Sequence, residues 1–286
     1  MIVSVIMVTY GHEKYIEEAI NGVFIQQTDF PVELIIANDC SPDQTDKVVK
    51  SLLPKSPENV TVKYTKHEFN KGANNNFNWA ASQATGKYIA LCEGDDYWTD
   101  PLKLQKQVHF LEGNKEYVLV GHKSKLVGVE NQKLESFLEL QTQSLLFRNV
   151  IRDDFYNDFP KIVNADTFML LYLENFGKFK LLDFFGSVYR LTGSGVWTSL
   201  SDEEKKITSV RSYKQMLIFF NKYGYKKSYK KVKCWLYDVE LYKFLNAGRF
   251  STTTFTYLLI KALGLADIKR VKSVIVSLPL IKKILQ

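Results

Sequence analysis

Three carboxylates crowd together in Glu93-Gly94-Asp95-Asp96, directly behind the apolar run Tyr88 to Cys92. That run is bounded by Gly86 and Gly94 and reads as a buried strand, so the three acids leave a sheet together at its carboxyl end. Carboxylates gathered there repel one another and are costly to hold near a core unless a cation or a hydrogen-bonding ligand neutralises them. Hard oxygen donors suit Mg²⁺ or Mn²⁺, and Mg²⁺ is commonly held by one or two carboxylates with phosphate oxygens completing its shell. The competing reading is an acidic turn that caps the next helix. Asp100-Pro101 already fits that role as N-cap and first helical residue, which leaves Asp95 and Asp96 without a structural task.

A strand end of this kind has to be positioned by a larger sheet, and the residues before it alternate accordingly. Ile2 to Thr9 is an almost unbroken apolar run, as expected of a strand covered on both faces, and Tyr10-Gly11-His12 breaks it. Apolar residues at Tyr15, Ile16, Ala19, Ile20, Val23 and Phe24 then follow a helical spacing. Val32 to Ala37 and Val60 to Thr65 read as further strands, with helices up to Leu53 and Ala84. The order β-α-β-α-β-α-β argues for an open, mostly parallel α/β sheet with its ligand crevice at the strand carboxyl ends. Thr9-Tyr10, Asn38-Asp39, Asn70-Lys71-Gly72 and Glu93 to Asp96 all follow strands, or lie in the loops behind them. Each alone is an ordinary turn composition; four on one rim favour a binding crevice.

Beyond Trp98 the pattern predicts a helix over Leu102 to Leu111, a strand within Val118 to Val129 and a loop from Asn131 to Glu139. It continues with a strand over Thr142 to Arg148, an amphipathic helix over Asp166 to Phe176, and two strands, Phe179 to Leu182 and Gly186 to Leu191. From Ser201 onward strands give way to helices: Ile207 to Tyr223, Lys226 to Leu245, Thr252 to Leu263 and Ile268 to Leu278. The expected organisation is therefore a domain over 1–205, with halves near 1–100 and 101–205, and a basic amphipathic helical region over 206–286.

Charge follows that division. The formal charge is +7, yet Arg211 to the end holds 16 Lys or Arg against 3 Asp or Glu, so the first 210 residues are net negative. Basic and apolar residues recur together in Tyr257 to Lys272 and Leu278 to Leu285, which favours peripheral contact with anionic lipid through 249–286. Nucleic acid is the weaker partner, because no reader motif is present and the sheet end is acidic. Three dispersed cysteines, Cys40, Cys92 and Cys234, support neither a disulfide framework nor a zinc site. The Met1-Ile2-Val3-Ser4 start lacks a signal-peptide pattern and no apolar run is long enough to span a bilayer. The expected location is cytoplasmic, peripheral to the inner face of the membrane.

Taken in order, these motifs resemble glycosyltransferase family 2, the inverting nucleotide-sugar transferases with the GT-A fold. The likeness runs through Ser4 to Tyr10, His12 to Ile16, Glu33 to Ser41, Asn70-Lys71-Gly72 with Asn76, Gly86 to Ala90 and Glu93 to Trp98. It resumes at Asn164-Ala165-Asp166, Tyr189-Arg190 and Gly193 to Trp197, and so covers roughly the first 200 residues. The resemblance implies that Thr9 and Tyr10 line the base pocket, that Asp39 hydrogen-bonds the base, and that Asn70, Lys71, Gly72 and Asn76 contribute to donor binding. It implies that Asp95 holds ribose or donor sugar, that Asp96, with Asp95, ligates Mn²⁺ or Mg²⁺ on the pyrophosphate, and that Asp166 is the catalytic base. Arg190 and the loop to Trp197 would close over the donor phosphates. The chain departs from the family at His12, where Asn is common, and at Ala165, where many members carry a second acid.

The implied activity is metal-dependent transfer of a sugar from a nucleoside-diphosphate donor, a UDP-sugar favoured, to a glycan or lipid-linked glycan in polysaccharide biosynthesis. A nucleotidyltransferase would need a Gly-rich basic loop after the first strand, which is absent, and Thr9-Tyr10-Gly11-His12 is not a dinucleotide-binding G-x-G-x-x-G. A non-catalytic nucleotide-sugar-binding or scaffold protein stays open. So do bland roles for single residues: helix N-cap for Asp166, a structural ion pair for Arg190, and surface or core positions for His12, His67, His109 and His122.

Overall fold

The computed structural model describes residues 3–128, 133–138, 140–152, 155–156, 158–192 and 200–246, with the backbone alone at 133–138 and 240–246. The chain packs as two units, Met1–Tyr156 with Phe176–Thr198, and Asn157–Asn175 with Ser199–Gln286.

The first unit is built on a nine-stranded sheet. Its parallel half comprises β1 (Val3–Thr9), β2 (Val32–Asn38), β3 (Val60–Lys66) and β4 (Tyr88–Leu91), connected through helices α1 (Ile16–Phe24), α2 (Thr45–Leu52) and α3 (Ala73–Ser82). All of β2 and nearly all of β1 is buried, which is why both read as unbroken apolar runs, while edge strand β3 alternates. The mixed half adds β5 (Tyr97–Trp98), α4 (Lys103–Gly113), β6 (Tyr117–Val127), β7 (Lys133–Leu138), β8 (Leu146–Arg148) and β9 (Lys178–Arg190). The strand order is β3-β2-β1-β4-β8-β6-β9-β5, with β7 paired to β6. Strand β8 runs antiparallel to β4 and β6, and β9 runs parallel to β6.

Three elements differ from the sequence expectation. Thr142–Ser144 is a 3₁₀ turn rather than strand, because Ser144 and Leu145 donate their N–H groups back to Gln141 and Thr142; only Leu146–Arg148 pairs as a strand. The two strands expected after Gly177 are a single β9, whose register against β6 shifts between His122 and Ser124 and so absorbs the interruption near Gly186. Lys133–Leu138, expected as a loop, pairs with β6.

The first unit also buries a lysine. Lys103 has no solvent exposure; its ammonium donates to Gln107 Oε1 at 2.9 Å and lies 3.8 Å from the centroid of the Trp98 ring. Burial pulls its pKa down to about 7, against the opposing pull of Cys92 and Asp100. The unfolded chain thus binds more protons than the folded one between about 7 and the ordinary lysine value near ~10.4, so this group's destabilisation is full below pH 7 and fades as pH rises through that window. Lys103→Met is expected to stabilise the protein at pH 7 by about 1–3 kcal/mol. Urea midpoints of the two proteins from pH 7 to 10 should converge; a constant difference would contradict the burial argument.

The second unit contains α5 (Ala165–Leu173), α6 (Asp202–Lys222) and α7 (Lys226–Asn246). A capping box starts α6: Ser201 Oγ accepts from the Glu204 N–H and Glu204 Oε2 accepts from the Ser201 N–H. Gly224, at φ +72°, makes the turn into α7. Phe168 of α5 packs its ring against Phe219 and Phe220 of α6 at 4.9 and 5.4 Å, and Ser228 Oγ of α7 donates to the Leu171 carbonyl at 2.7 Å. Among the described residues no helix is long and apolar enough to cross a membrane.

Candidate active site

The carboxyl ends of β1, β2 and β4 bring two residue clusters together in the first unit. In the first, the Asp39 N–H donates to the Thr9 carbonyl at 2.9 Å, which fixes the buried Asp39 behind the ends of β1 and β2. Its carboxylate accepts from the Lys71 N–H at 2.7 Å and the Gly72 N–H at 3.0 Å, and Asn70 Oδ1 accepts from the Gly72 N–H at 2.8 Å. Gly72, at φ +82°, can take the turn that leads into α3. Asp39 and the distant Asn70-Lys71-Gly72 turn thus form one hydrogen-bonded clasp. Tyr10 is exposed beside it. Asn76 does not open onto the rim: it is buried, its Oδ1 accepting from the His67 ring at 3.0 Å and its amide NH₂ donating to the Ala37 carbonyl at 2.9 Å, so that it holds α3 against β2.

The second cluster surrounds the acidic turn. The Gly94 N–H donates to the Val8 carbonyl at 3.0 Å and the Asp96 N–H to the Glu93 carbonyl at 3.1 Å, a tight bend against the end of β1. A Cβ on Gly94 would lie 2.6 Å from Thr9 Oγ1 and 2.8 Å from His12 Nδ1, so only glycine permits this approach. Both of those polar atoms are buried without a hydrogen-bond partner. The His12 ring also stands 3.8 Å from the Asp95 carboxylate. Burial lowers the His12 pKa, against Asp95 and Asp43, so the ring is neutral at physiological pH.

Asp96 is buried, and its Oδ1 accepts from the Arg190 N–H at 2.8 Å. Burial pushes its pKa well above the usual carboxylate range, Asp95 and Glu93 push it further, and Arg190 opposes them. The Arg190 guanidinium donates to the Asp95 carbonyl and to Glu18 Oε2, both at 2.5 Å, between the rings of Tyr15 and Tyr97, each 4.8 Å away. It clamps the acidic turn to α1 and β5 from within. Glu93 accepts from the Thr142 hydroxyl at 2.6 Å, which gives the unexpected 3₁₀ turn a place at the site.

Whether this cluster fits a divalent cation is decided by its donors. Asp95 and Asp96 are adjacent hard-oxygen groups, burial and the neighbouring acids disfavour the ionised form of Asp96, and unpartnered Thr9 and His12 atoms lie next to them. That set fits a cation whose remaining shell comes from phosphate oxygens. Among the described residues no group of three or more His, Cys, Asp or Glu is arranged to hold a metal by itself.

Asp166 lies in the second unit, exposed in the first turn of α5; the residue flanking this helix at its N-cap is Asn164, not Asp166. Trp197, the Gly193 to Trp197 loop and residues 249–286 fall outside the described residues. Sequence reasoning missed Tyr15, Glu18 and Tyr97 around Arg190. Tyr15 and Glu18 are three residues apart on one helical face, a usable signal only once Arg190 is known to meet it.

The family model described as glycosyl transferase family 2 matches residues 4–173. The uncharacterized protein Rv1520 of Mycobacterium tuberculosis is 33% identical over 225 residues, covering 73% of this chain and 64% of that protein. The chain thus spans under two thirds of the length of this relative. The crystal structure of Staphylococcus aureus TarS residues 1–349 in complex with UDP-GlcNAc is similar in fold, with a TM-score of 0.60 at 18% identity, covering 96% of this chain and 84% of that one. The mannosyltransferase PcManGT of Pyrobaculum calidifontis, solved with GDP-Man and Mn²⁺, gives a TM-score of 0.53 at 15% identity over 95% of this chain and 82% of that one. The GT-A architecture expected from the sequence is therefore the fold of the chain.

Proposed function

This chain belongs to glycosyl transferase family 2, and from that premise we propose that it moves a sugar from a nucleoside-diphosphate donor onto a hydroxyl of a glycan or lipid-linked glycan, by one in-line displacement that inverts the anomeric centre. The observation that carries the proposal is the acidic turn, where Asp95 and buried Asp96 lie side by side and burial with the neighbouring acids disfavours the ionised form of Asp96. Two similar folds bind nucleotide sugars with different bases, UDP-GlcNAc and GDP-Man, so a UDP-sugar remains the favoured donor on the sequence resemblance.

Asp95 and Asp96 would hold Mn²⁺ or Mg²⁺. Bound there, the cation would supply Lewis-acid stabilisation of the leaving diphosphate without proton transfer. Arg190 keeps the acidic turn in place through its backbone and guanidinium contacts. The clasp of Asp39 with Lys71 and Gly72 shapes the loop beside Tyr10 that would receive base and ribose. Asp166 would accept the proton of the acceptor hydroxyl as it bonds to the anomeric carbon. Water must be excluded from the reacting donor, the task proposed for the Gly193 to Trp197 loop.

The test is release of nucleoside diphosphate from a panel of UDP- and GDP-sugars, with glycan and lipid-linked acceptors, in Mn²⁺ and in EDTA. Acceptor-dependent release from one donor, abolished by EDTA, is expected. Donor binding without release over the whole panel would favour a nucleotide-sugar-binding scaffold instead.

Residues 249–286 are proposed to contact the membrane surface peripherally, bringing the enzyme to a lipid-linked acceptor. Replacing Lys261, Lys269, Arg270 and Lys272 with Glu should abolish flotation with anionic vesicles and leave activity on a water-soluble acceptor intact. Undiminished flotation would refute the contact.

A further inference from the structure

The buried ammonium of Lys103 stands at the foot of the acidic turn. Cys92 and Trp98 are the two residues that flank Glu93 to Tyr97, and Lys103 meets both. Its ammonium lies 3.8 Å from the centroid of the Trp98 ring, and it is close enough to Cys92 for the thiol to act on its pKa. Cys92 Sγ in turn donates to the Asp96 carbonyl at 3.6 Å. Among the described residues no carboxylate forms an ion pair with Lys103; Asp100, whose charge acts on it, is paired with Lys106 at 2.6 Å.

Two routes lead from this ammonium to the 3₁₀ turn at Thr142–Ser144. Lys103 Nζ donates to Gln107 Oε1 at 2.9 Å, which orients the buried amide so that its Nε2 donates to the Ser144 carbonyl at 2.8 Å. The indole held against the ammonium donates its Nε1–H to the Gln143 carbonyl at 2.8 Å. From the same 3₁₀ turn the Thr142 hydroxyl donates to Glu93 at 2.6 Å. Helix α4 thus grips the acidic turn at both ends: Trp98 at its exit directly, and Glu93 at its entry through the 3₁₀ turn. A neutral side chain of similar length would fill the space and do neither job. The Trp98 ring attracts a cation through its quadrupole, and without the ammonium Gln107 Oε1 loses its donor. A buried charge that lowers stability is the pattern of a residue kept for function.

We propose that Lys103 is a positioning residue for the acidic turn: its buried charge, acting through Trp98 and Gln107, holds Glu93 to Tyr97 in the geometry that binds cation and nucleotide. The effect on binding rests on the nucleotide reading above; the positioning of the turn does not.

The charge is conditional, which gives a readout that packing alone would not move. Burial lowers the Lys103 pKa to about 7. The other titratable groups that face it are neutral through that range, since burial pushes the Cys92 thiol well up and the His122 ring down to about 3. Asp100 and Lys106 remain paired with each other. As pH rises through 7 the wild type should therefore come to resemble a variant that lacks the charge.

The experiment titrates UDP and GDP with Mn²⁺ into the full chain and into Lys103→Met by calorimetry, from about pH 6 to about pH 8.5. Titrations of the nucleotide, of His12 and of the acidic turn are common to both proteins, so the ratio of the two affinities is what is read. Wild type should bind about fivefold or more tightly at the acid end, and the ratio should fall towards one as pH rises through 7. Backbone hydrogen exchange at Gly94 and Asp96, whose N–H groups close the turn on Val8 and Glu93, should be faster in Lys103→Met at the acid end, although that variant melts higher. Equal affinities, a ratio that does not change with pH, or unchanged exchange at the turn overturns the positioning role. If neither protein binds a nucleotide while exchange is faster in the variant, the nucleotide reading fails and the positioning stands. Should Lys103→Met fail to fold, carbon NMR of the Lys103 side chain in wild type decides: its titration should move to higher pH when Mn²⁺ and nucleotide bind, and an unmoved titration overturns the proposal.

Discussion

Asp96→Asn should lower turnover by about 10³-fold, since cation-assisted stabilisation of a leaving oxygen is worth several kcal/mol, while the metal-free protein becomes no less stable than wild type. The two effects have one origin. Asp96 is buried beside Asp95 and Glu93, and its charge is unfavourable in the metal-free fold, as its raised pKa records. Asparagine keeps the carbonyl oxygen that accepts the Arg190 N–H and removes the charge. Residues with this behaviour belong to sites where function is kept at the expense of stability. For a chain of this size a gain of about 1 kcal/mol raises the melting midpoint by roughly 2–4 °C. Calorimetric melting in EDTA, paired with the release assay, checks both halves. A variant that loses several degrees would mean that Asp96 is chiefly a structural acceptor for β9, and one that keeps full turnover would remove it from the chemistry.

Asp166→Asn is expected to reduce kcat by about 10²–10⁴-fold, the usual worth of a positioned general base, with donor affinity unchanged. Its place rules out one structural role, that of helix N-cap. Asp166 is exposed, and the N-cap position that would otherwise explain an acid there belongs to Asn164. Loss of the base should therefore leave α5 intact, since Phe168 and Ser228 secure the helix from its other faces. Single-turnover rates at saturating donor, with a parallel donor titration, separate this outcome from a folding defect. An unchanged kcat would return Asp166 to an ordinary surface residue.

The parallel half of the fold was legible because burial on both faces writes itself into composition: β1, β2 and β4 appear as apolar runs, and the polar residues behind them mark the rim. The acidic turn was legible for a related reason, three acids directly behind an apolar run, although the N-cap of the next helix is Leu102 and not Asp100, whose Oδ1 accepts from the Leu102 N–H. What could not be read was set by partners remote in sequence. Nothing near Arg190 announces that its N–H closes on Asp96, or that Tyr15, Tyr97 and Glu18 hold its guanidinium. Ser144 and Thr142 alternate as strand residues do, but backbone bonds to Gln141 and the hydroxyl bond to Glu93 turn the chain instead. Asn76 looked like a rim residue because it is polar and follows a loop, yet its amide is spent on His67 and Ala37. Lys103 carries no sign in sequence that tertiary packing takes a helical lysine out of water.

The central claim, that the acidic turn forms a cation-assisted nucleotide site, is tested most directly by calorimetric titration of UDP and GDP into the wild-type chain and Asp96→Asn, each with Mn²⁺ and with EDTA. The account predicts that one nucleotide binds wild type in Mn²⁺, that EDTA weakens it strongly, and that Asp96→Asn binds equally weakly in both. Binding that is indifferent to Mn²⁺ and to the substitution, or no binding of either nucleotide to a folded chain, would contradict it.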